Sequence, residues 1–418
     1  MVKEAGTLAN AGYAVTVLTV RNHPAAEQLD LELMKSASFS RVTVDALPQP
    51  GVRSFFLRLE TWIARKLAER FDLESFLALG PARALLRMAR SIPSDLTIVH
   101  NEIPHWIGTK LLETGRKVAA DIEDWHSEDL LPQARRGRPT RALRQVERTL
   151  LHKAVYCSTT SEALADGLNR RYGGMRAVVI TNSFPLQTNP RQARAGEIPS
   201  FFWFSQTIGP GRGLEQFFLA WATSSRPSRV VLLGEAQGNY ASKLLGSLPA
   251  LKRELVSFIP LVPPNELPAI ISRHDIGLAL EQASIVNRDL TITNKIIQYL
   301  NAGLAIVASD TQGQREVIAR SPNVGIVVDT ADPVSFSAAL DRLLADPAAL
   351  VGRQKAARSL AAAHYCWEIE SERLLMLVAQ LIGCDGRSRL RPEIGTQTLL
   401  LAGVFAHGDQ YLRHLVDS

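Results

Sequence analysis

The chain has 418 residues, 46% of them hydrophobic and 21% charged, a composition that excludes a disordered, collagenous or disulfide-scaffold protein. Its 47 Lys and Arg against 41 Asp and Glu leave a net charge of +6, suited to an anionic ligand, nucleic acid or membrane without choosing among them. At roughly 100 to 200 residues per domain, the length calls for two domains, each able to bury its own core.

Residues 2–9 read as a short helix stopped by Asn10-Ala11-Gly12, and Tyr13 to Val20 is a β-branched apolar run that reads as a buried strand. An α/β domain normally has a strand and a ligand-facing loop before its first helix, so this one is expected to lack its first strand. Strands follow at residues 96–100, 117–121, 154–158 and 177–181, with helices at 107–113, 138–152 and 161–172, the last capped by Ser161. Alternation of this kind favours a parallel sheet.

Residues 182–200 lose apolar periodicity and read as a linker, which sets domain bounds at 1–190 and 198–365. Beyond it the alternation restarts. Strands are expected at 201–204, 229–233, 256–259, 276–280, 305–308 and 324–328, with helices at 214–222, 240–248, 265–272, 294–302, 314–319, 332–345, 347–362 and 367–382. Residues 383–418 have no assigned structure or role. Cys157, Cys366 and Cys384 stand far apart without a CxxC pairing, so no zinc site or disulfide framework is expected and a reducing cytosol is the simplest home. The N-terminus carries Glu4 where a signal peptide needs an apolar run, and no stretch reaches the ~18 apolar residues of a spanning helix.

Four places carry candidate chemistry. The first is Thr207 to Glu215, where Gly209, Gly211 and Gly213 allow backbone N–H groups close to an anion and Arg212 can bind phosphate; a tight turn with a surface arginine is the competing reading. The second is Glu281 and the polar stretch 282–293, followed by Thr293, Asn294, Lys295 and Gln298. Thr293 or Asn294 can cap the helix, and a first-turn lysine opposes the helix dipole, which a bound anion would explain. Gln298 shares the face of Asn294 and Lys295, with a solvated position as its alternative. The third is the loop Ser309-Asp310-Thr311 at the carboxyl end of a strand, where caps serve as well as ligands. The fourth is in the first domain: His100, His126 and Glu128 at strand ends could supply a general base for a hydroxyl, while an exposed acidic loop is the alternative and the spacing matches no metal motif. GxSxG, HExxH and Walker A sequences are absent.

Arg212-Gly213-Leu214, the strand 230–233 ending in Gly234, the block from Asn294-Lys295 to Gly303 with Ala305 to Ala308, Gly325 to Val328, and Trp367-Glu368 together resemble a GT-B glycosyltransferase, similar to glycosyltransferase family 4. The resemblance implies two Rossmann-like domains facing a cleft, with residues 366–382 a helix crossing back to the first. It implies transfer of a sugar, a hexose above all, from a nucleotide-diphosphate sugar on the second domain to a glycan or lipid-linked acceptor on the first. Arg212, Lys295 and Asn294 then contact the diphosphate, His126, or His100 or Glu128, handles the acceptor hydroxyl, and neither metal nor cofactor is called for. Relatives carry two glutamates at positions held here by Leu290 and Gln298, with Glu281 as the compensating carboxylate. Family 4 members retain anomeric configuration. A GT-B nucleotide-sugar epimerase and a non-catalytic nucleotide-sugar-binding protein share the plan. The expected partners include a membrane surface at the cytoplasmic face, through the basic and aromatic segment 53–66, and no nucleic acid.

Overall fold

The computed structural model describes residues 1–47, 51–190, 198–382 and 397–403. The chain forms two compact units, the first drawn from residues 1–160, 165–180 and 371–418 and the second from 161–164 and 181–370.

In the first unit the elements run α1 (Val2–Asn10), β1 (Ala14–Arg21), α2 (Pro24–Met34), β2 (Ser40–Asp45), α3 (Val52–Phe71), α4 (Ala82–Ser91), β3 (Leu96–His100), α5 (Glu102–Leu112), β4 (Val118–Ile122), α6 (Thr140–Lys153), β5 (Cys157–Thr159), α7 (Glu162–Tyr172) and β6 (Val178–Val179). Of these, α2, β2 and α4 have no counterpart in the sequence reading. Strands β3 and β4 are buried along their whole length, as strands covered on both faces must be.

The second unit runs β7 (Ser200–Ile208), α8 (Leu214–Thr223), β8 (Arg229–Ala236), α9 (Tyr240–Gly246), α10 (Ala250–Arg253), β9 (Val256–Ile259), α11 (Leu267–Ile271), β10 (Ile276–Ala279), α12 (Val286–Leu290), α13 (Asn294–Ala302), β11 (Ala305–Ser309), α14 (Gln312–Arg320), β12 (Gly325–Val328), α15 (Pro333–Leu344) and α16 (Pro347–His364). Its sheet is wholly parallel in the order β12-β11-β10-β7-β8-β9. Alternate residues of β7 feed opposite cores: Phe201 and Trp203 pack with Phe217 and Trp221, Phe202 with Tyr299 and Ile306. The chain moves from β7 to β8 and β9 on one side, then returns to β10 on the other. That reversal makes the carboxyl ends of β7 and β10 the place where an open α/β sheet takes its ligand.

Helix α17 (Trp367–Ile382) starts in the second unit and from Ser371 belongs to the first. The last described element corrects the reading of the tail. Residues 398–402 form a strand, β13 (Thr398–Ala402), parallel to both neighbours at the middle of the first sheet, whose order is β2-β1-β13-β3-β4-β5-β6. Between β1 and β3 the sheet has no gap: Leu399 to Ala402 fill that position at 0–1% exposure. The physical reason is plain, since Leu399-Leu400-Leu401 is apolar on both faces and the backbone edges of β1 and β3 need partners. Residues 383–396 and 404–418, Cys384 among them, lie outside the described residues. Among the described residues no helix is long and apolar enough to cross a membrane.

Candidate functional site

The loop after β7 is shaped by close approach. Gly213 has φ 76° and a Cβ there would lie 2.9 Å from Leu280 Cβ, while a Cβ on Gly209 would lie 2.8 Å from Gln237 Oε1. Glycine thus brings the start of α8 against the end of β10, and Arg212 into the electrostatic field of Glu281. Arg288 Nη1 donates to the Gly211 carbonyl oxygen at 3.4 Å.

Glu281, just beyond β10, is 5% exposed and pairs with Lys295 Nζ at 2.8 Å. Burial pushes its carboxyl upward, but Lys295 above all, with Arg288 and Arg212, holds it below the ordinary carboxylate value. Lys295 Nζ also sits 5.8 Å from the centroid of the Trp203 ring. The lysine that opposes the dipole of α13 therefore has a counter-charge in Glu281. Ser309 Oγ fixes the same strand end, accepting from Glu281 N at 2.8 Å and from Gln314 Nε2 at 2.9 Å.

Three cations thus gather about one carboxylate at the carboxyl edge of the second sheet. Arg288 has no signal in the sequence: residues 282–293 read as a polar stretch, and α12 within it is too short to show periodicity. Thr293 stands at the N-cap of α13 without the expected side-chain cap, its Oγ1 buried with no hydrogen-bond partner among the described residues, as are Thr311 Oγ1 and Gln314 Oε1 at the start of α14. Asn294 is exposed, whereas Gln298 is buried and not the solvated position of the alternative reading. Leu290 is buried in α12, and neither it nor Gln298 brings a carboxylate.

In the first unit His100 ends β3 between Asp121 Oδ2 and Glu4 Oε2, each at 3.1 Å, with Ser158 Oγ donating to Asp121 Oδ1 at 2.7 Å. Burial opposes its charge, but Glu4 and Asp121 raise its pKa to about 9, so His100 is a buried cation within an ion-pair cluster. Glu128 is likewise occupied, bound to Arg135 at 2.8 Å and Arg144 at 2.7 Å.

His126 is half-buried in the turn after β4, its ring 5.6 Å from that of His105. His105 is buried, and burial with the neighbouring His126 lowers its pKa to about 3; its neutral ring bonds the Asp121 carbonyl at 2.9 Å. Glu102, His126 and Asp129 bring one oxygen or nitrogen each within 4.8 Å of one another, and burial raises Asp129 to about 6 despite Arg138. Both chain neighbours of His126 are tied to buried Glu147, through Trp125 Nε1, Ser127 N and Ser127 Oγ. Of the three sequence candidates, His100 and Glu128 are held in ion pairs, while His126 stands half-buried beside Glu102 and Asp129.

Comparison with known proteins identifies similar families and similar folds. Residues 3–183 match the family described as glycosyl transferase 4-like domain, and residues 200–346 that described as glycosyl transferases group 1. Spore coat protein SA of Bacillus subtilis is 25% identical over 142 residues, 34% of this chain and 36% of that protein, so the match spans about a third of the relative's length. Among solved structures, sucrose-phosphate synthase of Thermosynechococcus elongatus superposes with a TM-score of 0.67 at 16% identity, covering 91% of this chain and 92% of that one. Anabaena HepE in complex with UDP gives 0.63 at 14%, covering 88% and 100%. The UDP-forming trehalose-phosphate synthase of Burkholderia xenovorans gives 0.60 at 12%, covering 88% and 99%.

Proposed function

We propose that the chain is a glycosyltransferase of GT-B architecture, similar to family 4, that moves a hexose from a nucleoside-diphosphate sugar to a hydroxyl of a glycan or lipid-linked acceptor. One observation carries the donor reading: Arg212, Arg288 and Lys295 converge about Glu281 at the switch point of the second sheet. Residues 198–365 then hold the donor and residues 1–190 the acceptor.

In the reaction the bond between the anomeric carbon and the diphosphate oxygen breaks, its electron pair stays with the diphosphate, and the acceptor oxygen bonds to that carbon. The leaving group gains negative charge as it departs. Arg212, Arg288, Lys295 and the free N–H groups at the start of α13 stabilise that charge more in the transition state than in the bound donor. His126 orients the acceptor hydroxyl and takes up its proton; His100 and Glu128 act through their ion pairs to hold the surrounding strand ends. Gly209, Thr293, Asn294 and Gln298 line the donor side, with Glu281 placing Lys295.

HepE is a structural relative solved with UDP, and UDP is the first nucleotide to test. Calorimetric titration with UDP, GDP and ADP sugars is expected to show binding to one of them. Binding to none would overturn the reading. Product analysis with and without acceptor separates transfer from epimerisation.

A further inference from the structure

Between α8 and α9 of the second unit lies a pocket of about 500 Å³, and Arg212, Glu281, Arg288 and Lys295 are not among its walls. That volume is ordinary for a small-molecule site. Pro210, Leu219 and Leu244 give it apolar sides. The main chain around it is fixed, with Gln237 N donating to the Ile208 carbonyl at 3.0 Å, Tyr240 N to the Gln237 carbonyl at 3.0 Å and Lys243 N to the Asn239 carbonyl at 3.1 Å.

Two polar atoms at its floor set it apart from a chance surface hollow. Tyr240 is 7% exposed, and its Oη is buried without a hydrogen-bond partner of normal geometry among the described residues, as is Oε2 of Glu215. Both side chains line the pocket. Burial first, and then the nearby Glu215, push the Tyr240 phenol well above its ordinary value, so the hydroxyl keeps its proton. Buried polar groups in folded proteins are normally satisfied, and a built-in exception that faces a pocket calls for a partner inside it.

The same atoms select the chemistry of that partner. A protonated phenol and a carboxylate oxygen at the floor, with the exposed Gln237, Asn239 and Ser247 at the rim, suit a molecule whose groups both donate and accept. Hydroxyls do so. Glu215 repels an anion and the exposed Lys243 repels an amine, which leaves a neutral ligand, and the apolar sides match the C–H face of a pyranose ring.

We propose that the pocket between α8 and α9 is a second binding site for a neutral saccharide, whose hydroxyls meet Tyr240 Oη and Glu215 Oε2. The ligand is a free monosaccharide or one residue of a glycan chain. The inference uses neither the diphosphate site nor the transfer reaction, so the two readings can fail separately. The test is saturation-transfer NMR on the full chain with the methyl α-glycosides of glucose, galactose, mannose and N-acetylglucosamine, each with and without UDP. Transfer to at least one of them, kept when UDP is present, is expected. Tyr240→Phe removes only the phenol oxygen, and Leu219→Trp narrows the pocket from a position that is 50% exposed. Each should weaken saccharide binding by about tenfold while UDP binding stays unchanged and the thermal midpoint does not fall. Oligosaccharides that bind more tightly than the methyl glycosides would identify a glycan chain as the ligand, and equal affinity a free sugar. No transfer to any of the glycosides, transfer displaced by UDP, or affinity retained in either variant would overturn the proposal.

Discussion

Glu147 accepts the backbone N–H of Ser127 at 3.0 Å, and the same buried carboxylate takes Ser127 Oγ at 2.7 Å, Tyr172 Oη at 2.6 Å and Trp125 Nε1 at 3.2 Å. Four donors on one carboxylate hold the turn that carries His126. Burial raises the Glu147 pKa in spite of these bonds. Glu147→Ala would leave the four donors unsatisfied and is expected to destabilise the protein by about 3 kcal/mol, read as a lower urea midpoint. Transfer should slow while affinity for the nucleotide, held by the other unit, is kept. Unchanged turnover would remove the turn from the chemistry.

His126 itself is the sharper test of the acceptor side. His126→Ala is expected to lower turnover by ~100-fold or more with little change in nucleotide binding, the usual size of a general-base contribution. Full activity in this variant would dismiss the assignment.

His100 makes stability depend on pH. Its folded pKa of about 9 lies above the ordinary 6.5, so the folded state binds the extra proton more tightly than the unfolded state does. The stabilisation is complete below pH 6.5 and is lost as pH rises through 9. Thermal midpoints measured from pH 6 to 9.5 should fall for the wild type and fall less for His100→Asn, which begins lower. Equal slopes would mean that the imidazole is not charged in the folded protein.

On the donor side, Arg288→Ala and Arg212→Ala should each weaken nucleoside diphosphate binding by roughly 10- to 100-fold, the range for a lost hydrogen bond to a charged group. Lys295→Ala adds a second effect, since it strands the carboxylate of Glu281, and its thermal midpoint should drop as well. Calorimetry and a melting curve on the same samples separate the two.

Leu400→Asp places a charge at a position that is 0% exposed between β1 and β3. The first unit is expected to lose its cooperative structure, seen as rapid proteolysis of residues 1–160. Nucleotide binding by the second unit should survive, because none of its six strands comes from that segment.

The sequence was most readable where neighbours in the chain determine structure. Strands 96–100 and 256–259 and helices 294–302 and 367–382 match their observed bounds because periodicity and caps are local signals. Arg212 and Lys295 were visible for the same reason, as basic residues at helix starts. Arg288 was not, since a five-residue helix has no period to detect, and its nearness to Glu281 depends on how α12 packs. His100 shows the opposite difficulty: its residue type suggests a base, but Glu4 and Asp121, which make it a cation, lie far from it in sequence. β13 was illegible because a strand's place in a sheet is a property of its partners.

That placement sets the order of events during synthesis. Strands β1 and β3 leave the ribosome with open edges, and the strand that joins them follows roughly 300 residues after β3, about 15–60 s later at ordinary elongation rates. The second sheet, complete by residue 328, has all its strands in hand well before then. The later half of the chain therefore has its sheet partners in hand first, while the edges of β1 and β3 that β13 pairs stay open until the end of synthesis.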